Sequence, residues 1–437
     1  MNTLTRPLRA IEADGASVTT WELLSPGRRW VCLAILFLVT TSSYFDYYVL
    51  SIVLEPIKHE FQVSDTQLGL LGGFSFAVLY AVTALPIALW ADRGNRRTII
   101  TIALVIWSTM TAAGGMASSF WQLALARVGV GMVEPGAVPP SQSLVAEYFP
   151  PERRGTATAL LNSGSAAGYL VGLGLGGWIA ARYGWRAAFV CAGLPGLLLA
   201  VIVHFGLVEP RAVLERSPVS DRPESWSESL AVLRRKRTFV LTLAGASVYT
   251  IFAFGIAMFL PSFLMRDLHA TTAQISGVWA LGISIASLIG SLVGGRIADA
   301  LGKRHLGWYA WLPAAACAVG APVYWAALGT KSVTGFIILD FIAELILALG
   351  ISVSFAPVHA VCGSQRRAQA IAILQLSFIL VGAGVGPLIA GALSDLLSAA
   401  RGVDSLRSAL LVMVWFLVPA AIAFYAAGRT LPQELEA

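Results

Sequence analysis

Twelve apolar runs, each about the length of a membrane-spanning helix, constrain this chain more than any other feature. They lie at residues 30–54, 66–91, 98–118, 121–146, 155–180, 186–207, 238–264, 274–299, 306–328, 332–358, 368–394 and 405–428. About 20 apolar residues suffice for one helical crossing of a bilayer. The chain is 57% apolar and 12% charged, whereas soluble domains carry about 25% charged residues. The sequence therefore predicts an all-α membrane protein with twelve transmembrane helices.

One long connection, residues 208–237, separates the first six runs from the last six. It contains Pro210, Pro218 and Pro223 and ends in the basic stretch Arg234-Arg235-Lys236-Arg237. We predict an N-terminal tail (1–29), a six-helix bundle (30–207), a central loop (208–237), a second six-helix bundle (238–428) and a C-terminal tail (429–437). The two bundles are expected to be pseudo-symmetric.

The distribution of positive charge predicts the orientation of the chain. If the N-terminus lies in the cytoplasm, 22 Lys and Arg residues fall on the cytoplasmic side and 7 on the outer side. Cytoplasmic loops are the ones that carry an excess of Lys and Arg. We therefore expect a multi-pass protein of the inner (plasma) membrane with both termini in the cytoplasm. The two tails and the central loop are expected on the cytoplasmic side as well.

An internal repeat supports the division into halves and suggests a gate. Ala88-Leu89-Trp90-Ala91-Asp92-Arg93-Gly94-Asn95-Arg96-Arg97 follows the second run, and Gly295-Arg296-Ile297-Ala298-Asp299-Ala300-Leu301-Gly302-Lys303-Arg304 follows the eighth. A carboxylate at either Asp can sit against the positive N-terminal end of a helix. Arg96 and Arg97 are expected to bond carboxylates and helix-end carbonyls at the cytoplasmic surface. The predicted gating residues are Asp92, Arg93, Arg96, Arg97, Asp299, Lys303 and Arg304; the alternative is that these charges only set orientation.

Charged residues inside the apolar runs are the sharpest functional signal, because burying a charge in a membrane is costly. Asp46 lies in the first run, and Arg127 and Glu134 lie in the fourth. Asp46 and Arg127 are expected at similar depths, where they can form a buried ion pair. Glu134 lies near the midplane and can carry a proton. Asp340 and Glu344, one helical turn apart in the tenth run, are weaker candidates, and helix–helix contact is the alternative role for the whole set.

Aromatic residues and glycines add two further expectations. Tyr44, Tyr47 and Tyr48 of the first run, with Tyr249 and Phe252 of the seventh, can line a large apolar pocket that suits an amphipathic ligand, or can instead face lipid. Glycines concentrate in the fifth and eleventh runs. Small residues let membrane helices approach closely, so these glycines predict tight packing rather than a binding site.

Several local patterns resemble a known family, the major facilitator superfamily, and within it the bacterial Spinster branch. The resemblance rests on the two Asp-Arg loops and on Glu55-Pro56-Ile57-Lys58, Asp65-Thr66-Gln67-Leu68-Gly69-Leu70-Leu71, Ala126-Arg127-Val128-Gly129-Val130-Gly131, Tyr148-Phe149-Pro150-Pro151-Glu152-Arg153-Arg154, Gly184-Trp185-Arg186, Leu260-Pro261-Ser262-Phe263-Leu264 and Ser405-Leu406-Arg407. It covers nearly the whole chain. Transporters of this superfamily are built from repeats of helices.

The resemblance implies roles for specific residues. Asp46, Arg127 and Glu134 match buried charged positions that the branch links to proton coupling, and the branch moves lysolipids and sphingoid phosphates. Three positions depart from its pattern. Tyr47 stands where an Arg commonly follows the Asp, Val133 replaces a Gly, and Ala88 replaces the Gly that opens the first loop. Loss of the Arg changes the charge balance beside Asp46.

The sequence thus predicts a proton-coupled secondary transporter of a lipid-like substrate, of lysophospholipid or sphingoid type, working by alternating access. A small organic anion is the alternative substrate, since Arg127 can hold a carboxylate or phosphate. A membrane-embedded lipid enzyme or a sensor is a less favoured reading, because the five His residues are scattered without paired spacing. We expect no catalytic residues, metal, cofactor or nucleic-acid partner, and a monomer whose partners are substrate, protons and the bilayer.

Overall fold

A computed structural model describes residues 21, 24–210 and 226–435. In this part of the chain the secondary structure is helical, as predicted. The first six helices are α1 (Pro26–Phe61), α2 (Asp65–Gly69, Leu70–Phe74 and Ser75–Arg93), α3 (Arg96–Gly114), α4 (Phe120–Val133, Glu134–Gly136 and Val138–Tyr148), α5 (Pro151–Asn162 and Gly164–Tyr183) and α6 (Trp185–Gly206).

The remaining helices follow a short helix, Trp226–Leu233, that belongs to the predicted central loop. They are α7 (Arg237–Arg266), α8 (Gln274–Trp279 and Ala280–Gly302), α9 (Trp308–Gly329), α10 (Val333–Ile351 and Ala356–Val361), α11 (Gly363–Ser377, Phe378–Val385 and Gly386–Arg401) and α12 (Ser405–Val414 and Leu417–Thr430). Most of the predicted N-terminal tail, residues 211–225 of the central loop, and residues 436 and 437 lie outside the described residues.

Ten helical stretches of the described chain are long and apolar enough to cross a membrane. One of them, Gln369–Gln433, is 65 residues long and contains the predicted eleventh and twelfth spans. The predicted fourth span, α4, is not among the ten. It contains a 3-10 turn at Glu134–Gly136 between helices of 14 and 11 residues. The difference from the predicted twelve thus consists of two joined spans and of α4, and each predicted span corresponds to a helix of the described chain.

The helices pack into two compact units. One unit holds the described residues of Met1–Leu50 and Leu79–Val219, and the other holds those of Ser51–Val78 and Ser220–Ala437. The contacts therefore place residues 51–78, the end of α1 and the start of α2, with the C-terminal helices. The predicted division into two six-helix bundles concerns repeats along the chain and stays a prediction.

Glycines of α5 bring this helix into backbone contact with α1 in the first unit. A methyl group added to Gly164 would lie 2.9 Å from the Phe37 carbonyl oxygen, and one added to Gly168 would lie 2.6 Å from the Thr41 carbonyl oxygen. Neither position has room for a larger side chain, as the glycine pattern predicted. This approach brings the tyrosines of α1 against α5.

Candidate functional site

A buried ion pair joins α1 to α4 in the first unit. Arg127 Nη1 donates to Asp46 Oδ2 over 2.7 Å, and the two residues are 1% and 3% exposed. The Thr111 hydroxyl of α3 donates to Asp46 as well. The pairing of Asp46 with Arg127 is the arrangement expected from their depths in the sequence. Each charge compensates the other in a site from which water is largely excluded.

Glu134 lies at the break in α4. Pro135 follows it, and a proline has no backbone N–H to continue the helical hydrogen bonds. The chain instead makes the 3-10 turn Glu134–Gly136, closed by a hydrogen bond from Ala137 N to the Glu134 carbonyl oxygen over 3.0 Å. The carboxylate is buried and accepts a hydrogen bond from the Ser43 hydroxyl of α1. Ser43 and Asp46 lie about one turn apart, so α1 contacts both charged residues of α4.

The tyrosines of α1 form a ring cluster beside this site. Tyr44 and Tyr48 are stacked with ring centroids 6.4 Å apart, and Tyr47 meets Tyr48 edge to face at 5.1 Å. Tyr169 of α5 extends the cluster, since its ring lies 4.5 Å from that of Tyr48. The clustering of the predicted tyrosines is present in the structure, whereas Tyr169 had no distinguishing signal in the sequence.

The aromatic residues predicted in the seventh span belong to the second unit. Tyr249 and Phe252 are both buried, with ring centroids 6.2 Å apart. Tyr324 of α9 joins them, 5.2 Å from Phe252 in an edge-to-face arrangement. The structure thus brings these two predicted residues together with a third that sequence reasoning missed.

The acidic residues of α10 also lie in the second unit. Asp340 is fully buried and accepts a 2.7 Å hydrogen bond from Trp279 Nε1 of α8. Glu344 is half-buried and contacts the hydroxyl of Ser287, which also belongs to α8. Neither residue forms an ion pair with a Lys or Arg among the described residues. These two carboxyl groups therefore differ from Asp46, which has a cationic partner.

In the first Asp-Arg loop, Arg96 lies in the interior of the protein. Asn95 caps α3 by accepting a hydrogen bond from Thr98 N over 3.0 Å. Arg96 is 0% exposed and makes bidentate contacts with Glu147 of α4 and Glu209, which follows α6. Its own backbone N–H donates to Glu209 over 2.6 Å. The expectation that Arg96 bonds carboxylates is confirmed, but its expected place at the surface is wrong, because the two glutamates enclose it.

The other predicted gating residues are less enclosed. Arg93 is exposed and Arg97 is half-buried, and the side chain of Asp92 lies outside the described part of the structure. In the second loop the predicted residues Asp299, Lys303 and Arg304 are all exposed. Asp299 accepts a hydrogen bond from the Tyr309 hydroxyl over 3.2 Å. The two loops match in sequence but differ in burial.

Several site residues had no role in the sequence analysis. Ser43, Thr111, Glu147 and Glu209 supply partners to the charged residues, and Tyr169, Tyr324 and Trp279 extend the aromatic contacts. Only Glu209 carried a usable signal, because an acidic residue directly after an apolar run can bond a neighbouring helix N-terminus. Hydroxyl-bearing and aromatic residues are too common in membrane helices to be selected from one sequence.

Comparison with known proteins identifies a family and several relatives to which this chain is similar. The family model of the Major Facilitator Superfamily matches residues 36–364. An MFS-type efflux pump of Mycolicibacterium smegmatis is 32% identical over 421 residues, 94% of each chain. A cis,cis-muconate transport protein of Acinetobacter baylyi is 30% identical over 265 residues, 59% of this chain and 63% of that protein. Protein spinster homolog 1 of Homo sapiens is 28% identical over 85% of this chain and 74% of its own.

Solved structures agree with the sequence relatives. A bacterial homolog of the human lysosomal transporter Spinster, in an inward-facing and unoccupied conformation, superposes with a TM-score of 0.86. It is 28% identical in sequence, and the match covers 94% of this chain and 99% of that one. The Spinster-like character expected from the sequence motifs is therefore confirmed. With its helical fold, its apolar helices and the match over residues 36–364, this chain belongs to the major facilitator superfamily of membrane transporters.

Proposed function

We propose that this protein is a proton-coupled secondary transporter that moves an amphipathic, lipid-like substrate of lysophospholipid or sphingoid type across the inner membrane by alternating access. The buried Asp46–Arg127 pair, with Glu134 bonded to the same helix as Asp46, is the observation that carries the proposal. Buried charges in membrane helices are costly and usually functional. The termini are proposed to lie in the cytoplasm.

Arg127 is the proposed contact for a negatively charged substrate group. Its guanidinium is held by Asp46 at 2.7 Å. A phosphate or carboxylate can form the same charge-assisted hydrogen bonds. Protonation of Asp46 would remove the competing negative charge, so the arginine would become available to the substrate. Proton uptake and substrate binding would then be coupled through one side chain.

Glu134 is the proposed proton carrier. It lies at the break in α4, where the 3-10 turn gives the chain a point at which the helix can change its geometry. Its described partner is the neutral Ser43 hydroxyl, which can accept a hydrogen bond as well as donate one. This contact can therefore persist in both protonation states. Loss of the proton would leave a buried charge, and that cost would favour a conformation in which water reaches the carboxylate.

The tyrosine cluster supports a lipid-like substrate. Tyr44, Tyr48 and Tyr169 form a cluster of large rings, each with a hydroxyl group, on α5 and on the helix that carries Asp46. Such side chains combine an apolar body with a polar tip, which suits a ligand with an acyl chain and a charged head. Tyr249, Phe252 and Glu344 are proposed substrate contacts of the second unit.

A small organic anion is the second candidate substrate. The muconate transport protein is a relative at 30% identity, and its dicarboxylate would also bind an arginine. The two candidates differ in apolar area, because a short dicarboxylate has no chain for the tyrosine rings to cover. Competition between the two ligand classes therefore discriminates between them.

Gating is proposed to involve the loops at Asp92–Arg97 and Asp299–Arg304. Arg96 contributes most in this proposal, since it ties the start of α3 to Glu147 and to Glu209 after α6. Movement of α4 would have to break or carry this contact. The exposed Lys303 and Arg304 of the second loop are proposed as the weaker half of the gate.

The test is substrate uptake by purified protein in liposomes under an imposed pH gradient. We expect gradient-driven movement of radiolabelled lysophosphatidylglycerol, competed poorly by cis,cis-muconate. Glu134→Gln should still bind the lysolipid but lose the dependence on the gradient, and Arg127→Ala should lose binding and movement. Glu152→Gln, which changes an exposed acidic residue of α5, is the matched control and should behave as native.

Two results would contradict the proposal. Native rates of gradient-driven accumulation in the Glu134→Gln variant would exclude this residue as the coupling site. Saturable muconate uptake that lysophosphatidylglycerol does not compete would replace the lipid-like substrate with the organic anion.

A further inference from the structure

The longest run of consecutive basic residues in the chain has no role in the proposed function. It is the stretch Arg234-Arg235-Lys236-Arg237, which follows the short helix Trp226–Leu233 and leads into α7. We call residues 226–237 the basic segment. It contains these four basic residues and one acidic residue, Glu228. Its positive charge therefore needs either water or an anionic partner.

The length of α7 places the basic segment at the level of the lipid headgroups. α7 has 30 residues, which correspond to about 45 Å at a rise of about 1.5 Å per residue. The hydrocarbon core of a bilayer is about 30 Å thick, and the headgroup regions extend the total to about 40–45 Å. An α7 that crosses the membrane therefore reaches the headgroups at both ends. Arg237 is its first residue, at the end that the predicted topology assigns to the cytoplasmic side.

Backbone hydrogen bonds fix the basic segment to the second unit. Arg237 N and Thr238 N each donate to a carboxylate oxygen of Glu434 over 2.9 Å. A carboxylate at this place satisfies N–H groups that have no partner within the helix. Arg234 N donates to the Leu230 carbonyl oxygen over 3.0 Å. Because these contacts use the backbone of the segment, its basic side chains can be changed without removing them.

The helix Trp226–Leu233 packs one face on α11 and leaves another face exposed. Ser229 and Leu233, one turn apart, are 1% and 0% exposed, and the helix contacts the first part of α11. Leu230 is 40% exposed, and Ala231 is exposed as well. An exposed apolar face beside a run of cations is typical of a helix that lies in the membrane interface.

Three arginines of the basic segment are available to a partner outside the chain. Arg234, Arg235 and Arg237 are exposed, and their side chains form no hydrogen bond or ion pair with the part of the chain that the structure describes. A guanidinium forms bidentate, charge-assisted hydrogen bonds with the oxygens of a phosphate. Three such groups at the level of the headgroups match the phosphates of anionic lipids.

The arginines at the start of α1 show that such exposure is not general. Arg28 Nη2 donates to the Gly206 carbonyl oxygen of α6 over 2.7 Å, and Arg29 Nε donates to the Leu24 carbonyl oxygen over 3.0 Å. Both arginines are half-buried. The first helix of the N-terminal half thus uses its initial cations within the protein, whereas α7 leaves the preceding cations exposed.

We propose that the basic segment is a binding site for anionic phospholipid, in which Arg234, Arg235 and Arg237 bind the headgroup phosphate and Leu230 contacts the adjoining acyl chains. Clusters of Lys and Arg next to a spanning helix attract anionic lipid, and each cation adds to the attraction. Phosphatidylglycerol carries a net negative charge, whereas the choline of phosphatidylcholine neutralises its phosphate. Bound anionic lipid holds the last helix of the central loop at the membrane surface.

The experiment measures which lipid lies next to Leu230. A Leu230→Cys protein, with the exposed Cys191 replaced by Ser, is labelled with a fluorophore and reconstituted into phosphatidylcholine vesicles. A small, equal fraction of spin-labelled phosphatidylglycerol or spin-labelled phosphatidylcholine with the same acyl chains then quenches the fluorophore. We expect quenching by phosphatidylglycerol to exceed quenching by phosphatidylcholine about threefold at low salt, and the excess to fall at high salt.

Paired substitutions separate this site from the general attraction of a basic protein for anionic lipid. Arg234→Gln with Arg235→Gln should bring the quenching ratio close to one, and the corresponding pair of Lys substitutions should give an intermediate ratio. Lys303→Gln with Arg304→Gln removes two exposed cations from the second Asp-Arg loop and should leave the ratio unchanged. A fluorophore placed by Leu288→Cys on the exposed surface of α8 should show no preference between the two lipids.

Several results would overturn the proposal. They are a ratio near one in the protein with the native basic segment, an unchanged ratio after Arg234→Gln with Arg235→Gln, and an equal loss after Lys303→Gln with Arg304→Gln. A ratio that falls to one when glycerol phosphate is added would identify a soluble phosphate ester as the ligand instead of a lipid.

Lipid binding at the basic segment is independent of the proposed transport. Quenching is measured without added substrate and without a pH gradient, and Arg127→Ala should leave the ratio unchanged. A protein that moves neither lysolipid nor muconate but shows the expected ratio would keep the lipid site and lose the proposed function. Normal gradient-driven uptake with a ratio near one would give the opposite result.

Discussion

Buried charge is handled differently in the two units, although the sequence repeats between them. Arg127 is the eighth residue after Ser119, which caps α4, and Asp340 is the eighth after Ser332, which caps α10. The first unit thus buries a cation and pairs it with Asp46 at 2.7 Å. At the matching position the second unit buries an acid that accepts a hydrogen bond from the neutral indole of Trp279. Equivalent positions in a repeat need not carry equivalent electrostatics.

The two Asp-Arg loops show the same contrast at the helix ends. Arg96 is enclosed by Glu147 and Glu209, whereas Lys303 and Arg304 are exposed. The loop sequences alone do not explain this, because the enclosing glutamates lie elsewhere in the chain. Similar local motifs therefore lead to one buried network and one solvated surface. Substitutions in the two loops should differ in their effect on stability.

The largest difference is expected between Arg96→Ala and Lys303→Ala. Removing Arg96 breaks its buried pair with Glu209, and breaking a buried pair by removing one partner costs about 3–5 kcal/mol. Lys303 is exposed, so its loss should cost less than about 0.5 kcal/mol. Unfolding of the purified proteins in a detergent titration measures both. Equal losses in the free energy of unfolding would show that the difference in burial between Arg96 and Lys303 has no effect on stability.

A second comparison sets Asp46→Asn against Asp340→Asn. Asp46→Asn removes the negative charge that Asp46 supplies to the buried Arg127 and should destabilise the protein by about 3 kcal/mol. Asp340→Asn breaks no ion pair and keeps an oxygen for the Trp279 N–H, so a change of less than about 1 kcal/mol is expected. The same unfolding titration applies. A larger loss for Asp340→Asn would indicate that the second unit compensates this carboxyl group in its charged form.

The smallest effect concerns pH and Asp267, which directly follows α7. Its carboxylate is 1% exposed, with Arg407 Nε 3.4 Å from Oδ1. Burial raises the pKa of Asp267 to about 6, against the opposing effect of Arg407; Asp404, Arg266 and His269 are the other charged or titratable groups acting on it. A raised pKa means that the folded state is favoured when the group is protonated. This contribution to stability is full below about pH 4 and is lost as the pH rises through about 6.

Asp267→Asn should therefore gain stability relative to the native protein as the pH rises from about 4 to about 7, by at most about 3 kcal/mol. The difference in unfolding temperature between the two proteins, measured across this range, checks the prediction. Asp404→Asn, a change at an exposed neighbour, should show a much flatter difference. A constant difference for Asp267→Asn would mean that Arg407 compensates the buried charge fully.

Much of the fold followed from the sequence, and the reason is the membrane itself. Backbone polar groups have no water to bond in a bilayer, so apolar runs of this length form helices. The Asp46–Arg127 pair was also predictable, because few partners exist for a charge at that depth. The surroundings of Glu134 and Arg96 were not, since Ser43 and Glu147 are ordinary residues until folding brings them close, and the position of Glu209 after an apolar run does not say which helix it bonds.

The sequence by itself determined the helical class, the apolar segments, the charged residues within them and the superfamily motifs. All of these depend on local composition and on spacing along the chain. Only the tertiary structure decided that Arg96 is buried while Lys303 and Arg304 are exposed, and that residues 51–78 are bound to α7 and α11. Burial and long-range pairing depend on which surfaces meet in three dimensions. Glycine contacts and hydrogen bonds between residues as distant as Asp65 and Asp395 determine which helix surfaces pack together. Local sequence patterns do not show which distant residues form these contacts.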